Sequence, residues 1–308
     1  MMDRRNFMAG SSLLTVATTF PFAASAQQPA VFQYQDAAAN KELVRLEKLM
    51  GGRLGMALTD GSGKIALSYR GDERFAMCST FKAPLAFALM DAAEQGQADI
   101  NKGFFLSEMD LVPYAPFVEN QLAANNKVTL KELALAAVKT SDNSAANLVL
   151  KAIGGPAGFT DFVRRRGDAI TRLDRIEPAL NENKVGDPRD TSSPVAFSQL
   201  MYGLMCGPSR SSNWSTVYDA MATSKTGLNR IRLGLPYGWP VGNKTGTAPA
   251  GLAYNDAAIF WPSFAGYGGD EPQFLTVFTD RPTASAGAVN RTIVEVAKLA
   301  AWIAQRRK

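Results

Sequence analysis

Strand-like segments sit at both ends of this chain, and helical periodicity fills its middle. Arg53 to Thr59 and Lys64 to Tyr69 read as strands, and Asp60-Gly61-Ser62-Gly63 between them is hairpin chemistry. Strand character returns near Trp239 to Thr247, Leu252 to Trp261 and Phe274 to Asp280. Strands joined by hairpins pair antiparallel, so the two chain ends predict one antiparallel sheet. Helices flank it: Asn40 to Met50, with Asn40 as cap, and Ala288 to Arg306, with Ile293, Val296, Ala297, Ala300 and Ile303 on one stripe.

Between the strand groups, about Phe75 to Cys206, the pattern is mostly helical. Thr129 and Glu132 form a capping box. Ser144 to Ala152 reads as a buried helix that Gly154-Gly155-Pro156 stops. Arg172 to Pro194 carries many charges and three prolines without a sustained period, which predicts a long ordered loop or a disordered one. The fold class is therefore α/β in the α+β sense. An α/β lobe spans about 27–74 and 227–308, and an all-helical lobe about 75–226 is inserted between its halves. At 308 residues with 46% hydrophobic and 20% charged content, the chain has a substantial core and is not disordered.

The first 26 residues read as an export signal rather than as fold. Arg4 and Arg5 precede an apolar stretch from Met8 to Phe22, and Ala24-Ser25-Ala26 supplies small residues for cleavage. The arginine pair predicts twin-arginine export and a periplasmic or secreted protein. The stretch is shorter than the roughly 20 residues a membrane span needs, and no later segment would span. The net charge of +5 is scattered, so nucleic acid is not indicated. Arg164-Arg165-Arg166 is a tight basic run in a polar helical stretch and reads as a solvated face. Cys78 and Cys206 could pair after export, but Cys78 directly precedes Ser79, which favours a thiol packed beside the following helix. With no histidine and two cysteines, the usual zinc ligands are missing, and no metal or cofactor is expected.

Ser79 and Lys82 lie one helical turn apart, and Pro84, suited to a first turn, places the helix start near Ser79 or Thr80. Ser79 then sits where unpaired N–H groups converge and can hold a developing oxyanion. Lys82, in the same positive field, is disfavoured as a cation. Ser141-Asp142-Asn143 falls between two helices and presents a hydroxyl beside an amide. Lys-Thr-Gly occurs twice. Lys225-Thr226-Gly227 follows a helical run, with Gly227 as its C-cap, and is set aside. Lys244-Thr245-Gly246-Thr247 lies where strand character returns; there Gly246 admits a ligand close to the backbone, and Lys244 and Thr245 face a carboxylate.

Ser-x-x-Lys, Ser-Asp-Asn and Lys-Thr-Gly in this order resemble the class A β-lactamases and penicillin-binding proteins. The resemblance runs from the first hairpin to the last helix. Arg172 to Asn181 looks like the class A Ω-loop, and by that likeness Glu177 and Asn181 hold the hydrolytic water, Glu177–Pro178 is a cis bond, and Arg175 pairs with Asp190.

The resemblance implies hydrolysis of the β-lactam amide of penicillins and cephalosporins, with antibiotic resistance, by a monomer. Ser79 is the implied nucleophile, with either Lys82 or Glu177 taking its proton. Backbone N–H groups of Ser79 and Thr247 hold the oxyanion, Ser141 protonates the departing nitrogen, and Glu177 drives deacylation. Lys244, Thr245, Gly246, Thr247 and Arg230 line the carboxylate site, Asn143 takes the side-chain amide, and Tyr114 is the gate aromatic. The chain departs from the pattern at Ala248, where members with a disulfide to the position of Cys78 carry cysteine. That disulfide, frequent in carbapenem-hydrolysing members, is therefore not expected, although Arg230 and Thr247 leave weak carbapenem activity open. The alternatives are a D,D-peptidase and a penicillin sensor that stays acylated; Glu177 and Asn181 count against both.

Overall fold

The computed structural model describes residues 37–207, 210–264, 267–268 and 271–306. The export signal expected from Arg4 and Arg5 to Ala26 lies outside the described residues.

Helix α1 (Ala37–Met50) leads into strands β1 (Arg53–Thr59) and β2 (Ile65–Tyr69). It starts three residues ahead of the cap expected at Asn40, because Ala37 to Ala39 are strong helix formers and extend it upstream. The hairpin is as expected: the Asp60 carboxylate accepts from the backbone N–H of Ser62 and Lys64 at 2.9 and 3.0 Å. A helical series follows: α2 (Lys82–Glu94), α3 (Pro116–Ala123), α4 (Leu130–Lys139), α5 (Asn143–Ala152), α6 (Gly155–Arg165), α7 (Pro194–Met205), α8 (Trp214–Ala222) and the short α9 (Ile231–Gly234). The chain then returns as β3 (Val241–Thr247), β4 (Tyr254–Phe260) and β5 (Gln273–Asp280) and ends in α10 (Ala286–Arg306).

The five strands form one antiparallel sheet in the order β2-β1-β5-β4-β3. The last strand in sequence thus lies in the middle, and Met56 pairs with Val277. Both faces are covered. Alternate residues of β4 feed separate cores: Ala257 and Ile259 meet the helical core with Phe197, Leu133 and Val149, whereas Ala258 and Phe260 meet Leu43, Ile293 and Val296 of α1 and α10. Burial on both sides explains why β4 and β5 read as continuous apolar runs rather than as alternating ones.

Several local expectations need adjustment. Thr129 does cap α4, its hydroxyl accepting from Glu132 N–H while the Glu132 carboxylate takes Thr129 N–H at 2.8 Å. Gly154-Gly155-Pro156, expected to stop a helix, also starts the next, with Pro156 at the second position of α6. Arg164 to Arg166 are not a plain solvated face. Arg164 donates to the Thr171 carbonyl at 2.6 Å, and Arg166 reaches Asp91 at 2.7 Å, tying α6 to the loop base and to α2. Gly227 is not a C-cap, since α8 ends at Ala222. Gly227 has φ +73° and lies flat against the Thr245 side chain, where a Cβ would collide.

Candidate active site

The stretch before α2 forms a single 3-10 turn, Cys78–Phe81, so Ser79 precedes the α-helix and Lys82 is its first residue. Pro84 lies in the first turn of α2, where its missing N–H goes unneeded. Strand β3 runs against this turn. A Cβ on Gly246 would sit 2.6 Å from the Met77 carbonyl oxygen and 3.2 Å from the Ser79 nitrogen, so only glycine allows the approach.

Lys82 is fully buried. Its Nζ lies 2.9 Å from Glu177 Oε1 and donates to the Ser141 carbonyl at 2.9 Å and to Asn143 Oδ1 at 2.5 Å. The Ser79 hydroxyl donates to the same Glu177 oxygen at 3.3 Å. Burial lowers the Lys82 ammonium from its ordinary range, against the opposing pull of Glu177.

Ser141 bridges α4 and α5 with φ +62°, a left-handed conformation sparsely populated by non-glycine residues. That geometry turns its carbonyl to Lys82 and its hydroxyl to Lys244, whose Nζ donates to Ser141 Oγ at 3.0 Å. Lys244 is also fully buried, and burial together with the charge of Lys82 holds it well below the ordinary lysine range. Asp142 plays a different part: its carboxylate caps α5 through Ala145 N–H and accepts from Phe117 and Val118 at the start of α3.

Glu177 comes from the long loop, through a cis Glu177–Pro178 bond. Three devices hold the loop. Asn147 of α5 clamps the Glu177 backbone, accepting from its N–H and donating to its carbonyl, both at 2.9 Å. Arg175 Nε meets Asp190 at 2.6 Å, and the other Asp190 oxygen accepts from the N–H of Asp174 and Arg175. The hydroxyls of Thr171 and Ser192 meet at 2.6 Å across the neck of the loop. Asn181 donates to Glu177 Oε2 at 2.5 Å, and its own buried Oδ1 has no hydrogen-bond partner among the described residues.

Arg230 is buried at the far end of β3. Its guanidinium donates to the carbonyls of Gly246 and Asn255 at 3.1 and 2.7 Å, to Thr247 Oγ1 at 2.9 Å and to Asn290 of α10 at 3.0 Å. A cleft of about 480 Å³ is bounded by Ser79, Tyr114, Ser141, Asn143, Asn181, Arg230, Thr245 and Thr247, with Tyr114 exposed at its mouth. Lys82, Glu177 and Lys244 lie directly beneath. The expected catalytic and substrate-facing residues are therefore brought to one place, and Arg175 and Asp190 tie the loop that carries Glu177 rather than line the cleft. Sequence reasoning missed Asn147, whose signal was its place one turn after Asn143 on the same helix face. It also missed Thr226, whose hydroxyl lies 2.8 Å from that of Thr245.

Cys78 and Cys206 are both free thiols. Cys78 packs in a small apolar cluster with Ala76, Ala248 and Ala253, and burial pushes its thiol up to about 12. Alanine at 248 fills the space beside this sulfur without a covalent link.

The Beta-lactamase enzyme family matches residues 38–304. A solved ancestral class A β-lactamase (GNCA) superposes with a TM-score of 0.79 at 42% identity, covering 85% of this chain and 98% of that one. The chain belongs to the class A β-lactamases. Among curated relatives of this family, β-lactamase CTX-M-97 of Escherichia coli is 37% identical over 94% of this chain and 96% of its own length. The carbapenem-hydrolyzing β-lactamase KPC of Klebsiella oxytoca is 38% identical over 83% and 85%. As expected of a class A β-lactamase, the fold is an antiparallel sheet built from both chain ends and joined to a helical middle.

Proposed function

We propose that this β-lactamase opens the lactam amide of penicillins and cephalosporins through an acyl-enzyme on Ser79, and so confers resistance. The observation that carries this reading is the meeting of Ser79, Lys82 and Glu177 around one carboxylate oxygen.

Ser79 Oγ attacks the lactam carbonyl carbon as its proton leaves. Lys82 already has three acceptors, Glu177, Ser141 O and Asn143 Oδ1, the full complement of an ammonium. That favours Glu177 as the proton acceptor in the free enzyme, with Lys82 holding the carboxylate in place. Backbone N–H groups of Ser79 and Thr247 receive the oxyanion. As the carbon–nitrogen bond breaks, Ser141 gives its proton to the nitrogen, assisted by the Lys244 ammonium on its oxygen. The proton taken by Glu177 is passed on through Lys82, its ion-pair partner, to the Ser141 hydroxyl, which restores both groups. Glu177, oriented by Asn181, then takes a proton from water as the hydroxide attacks the acyl carbon, and hands that proton to the departing Ser79 oxygen. The net change is one water added across the amide. Lys244, Thr245, Thr247 and Arg230 receive the substrate carboxylate, Asn143 the side-chain amide, and Tyr114 flanks the entrance.

The residue pattern from Arg4 to Ala26 supports twin-arginine export, cleavage after Ala26 and a periplasmic or secreted monomer of one catalytic domain, 27–308. Sustained nitrocefin turnover by the purified protein, abolished in Ser79→Ala, tests the activity. A burst of one nitrocefin per protein without turnover would favour a sensor instead. The mass of protein recovered from the periplasm tests the cleavage.

A further inference from the structure

Lys225-Thr226-Gly227, set aside on sequence, lies against Lys244-Thr245-Gly246. Thr245 donates its hydroxyl to Thr226 Oγ1 at 2.8 Å, and the Ser224 hydroxyl lies 3.2 Å beyond, on the far side of Thr226. Three hydroxyls thus stand in a row, running from the buried Ser224 through the half-buried Thr226 to the buried Thr245 on β3. Gly227 makes the row possible, because any side chain there would push Thr245 away from it. Two further contacts fix the segment: Asn243 reaches toward the Thr226 carbonyl at 3.4 Å, and Lys225 N–H donates to the Lys139 carbonyl at 3.0 Å.

A hydroxyl has one proton and two lone pairs. The Thr245 hydroxyl spends its one proton on Thr226. A substrate carboxylate arriving at Thr245 needs that proton. Once it turns toward the anion, the Thr245 oxygen is left to accept, and the Thr226 hydroxyl is the neighbour placed to donate. Ser224 can then donate to Thr226 in turn. All three O–H bonds would align head to tail toward the anion, each polarising the next. We propose that Thr226 is a positioning residue of the carboxylate site, and that the Ser224–Thr226–Thr245 row reverses its hydrogen-bond direction when an anionic substrate binds. Thr226 acts through Thr245 and does not itself touch the carboxylate. The inference rests on the reading of Thr245 as a carboxylate ligand.

Valine at 226 keeps the shape and removes the hydroxyl, whereas serine keeps the hydroxyl. The measurement is kcat/KM for benzylpenicillin and for its methyl ester, which lacks the anion, in wild type, Thr226→Val, Thr226→Ser, Thr245→Val and the double valine variant. The expected result for Thr226→Val is a loss of about fivefold in the preference for acid over ester, the scale of one net hydrogen bond, carried by KM rather than kcat. Thr226→Ser should restore the preference, and the double variant should be no worse than Thr245→Val alone. Equal losses on acid and ester would mark a merely structural role and overturn the proposal, as would an unchanged preference in Thr226→Val beside a reduced one in Thr245→Val. An unchanged preference in Thr245→Val would instead remove the underlying assignment of Thr245.

Discussion

The Lys82 ammonium and the Glu177 carboxylate form an ion pair at 2.9 Å with both side chains fully buried. Such a pair is costly to desolvate and costly to break, since removing one partner leaves the other uncompensated. Here the cation has two further acceptors in Ser141 O and Asn143 Oδ1, so it remains solvated by protein if the carboxylate is lost.

Glu177→Ala should therefore fold and should still acylate, though more slowly than wild type, because Lys82, freed of its carboxylate partner, is the remaining group to take the Ser79 proton. Deacylation should stall. Intact-mass spectrometry after benzylpenicillin should show one adduct per chain persisting for many normal turnover times. Free enzyme with normal turnover would remove Glu177 from the mechanism.

Asn147 grips both backbone groups of Glu177 without meeting the reacting atoms. Asn147→Ala deletes two hydrogen bonds of ordinary strength, about 1 kcal/mol each. We expect deacylation to slow more than acylation, because only the former needs the Glu177 carboxylate aligned on a water. Pre-steady-state kinetics should show acyl-enzyme at steady state; equal slowing of both steps would contradict this.

Asp190 is fully buried and accepts from Arg175 Nε and from two backbone N–H groups. Asp190→Ala leaves the guanidinium and both N–H groups without this acceptor, at an expected cost of about 3 kcal/mol. Urea unfolding should register the loss. The damage should be local to the loop, seen as faster amide exchange from residue 172 to residue 190 while the β5 amides keep their protection relative to global unfolding.

Asp256 lies on β4 opposite Thr245 of β3, accepting from Asn243 Nδ2 at 2.9 Å and from Ile231 N–H at 3.0 Å, and burial pushes its carboxyl from 3.8 to about 6. Between those values the folded protein holds a proton that the unfolded chain has released. This group therefore lends stability that is full below pH 3.8 and lost as pH rises through 6, by about 3 kcal/mol in all. In urea unfolding at pH 4 and pH 6.5, wild type should lose about 2 kcal/mol more stability than Asp256→Asn, the part of the total that falls inside this interval. Parallel behaviour of the two proteins would reject the assignment.

Much of this was legible from the residues because it is local. Pro84 marks the start of α2, Thr129 and Glu132 mark α4, and the hairpin turn is spelled out from Asp60 to Gly63. Two of the three motifs sit at breaks between elements, and the third, Lys244-Thr245-Gly246, lies on strand β3 where Gly246 lets the strand approach the Ser79 turn. What escaped is relational. Nothing near Thr226 announces that Thr245, on a distant strand, will lie against it. Asn147 looks like any polar residue on a helix until the loop carrying Glu177 folds over it. Ser141 in a left-handed conformation is likewise imposed by the helices on either side, against the preference of serine itself. The strand order is of the same kind, since periodicity identifies strands but does not rank them.

That order has a consequence for how the protein is made. β5 lies between β1 and β4, so the first hairpin must wait, with one edge open, until residue 280 has been synthesised. A chain interrupted between Lys244 and Gln273 would carry Ser79, Glu177 and Lys244 yet lack the strand that joins the first half of the sheet to the second. Such a fragment would offer an unpaired strand edge to other chains. Closing the sheet of this enzyme thus depends on residues 273 to 280, which pair with β1 on one side and β4 on the other.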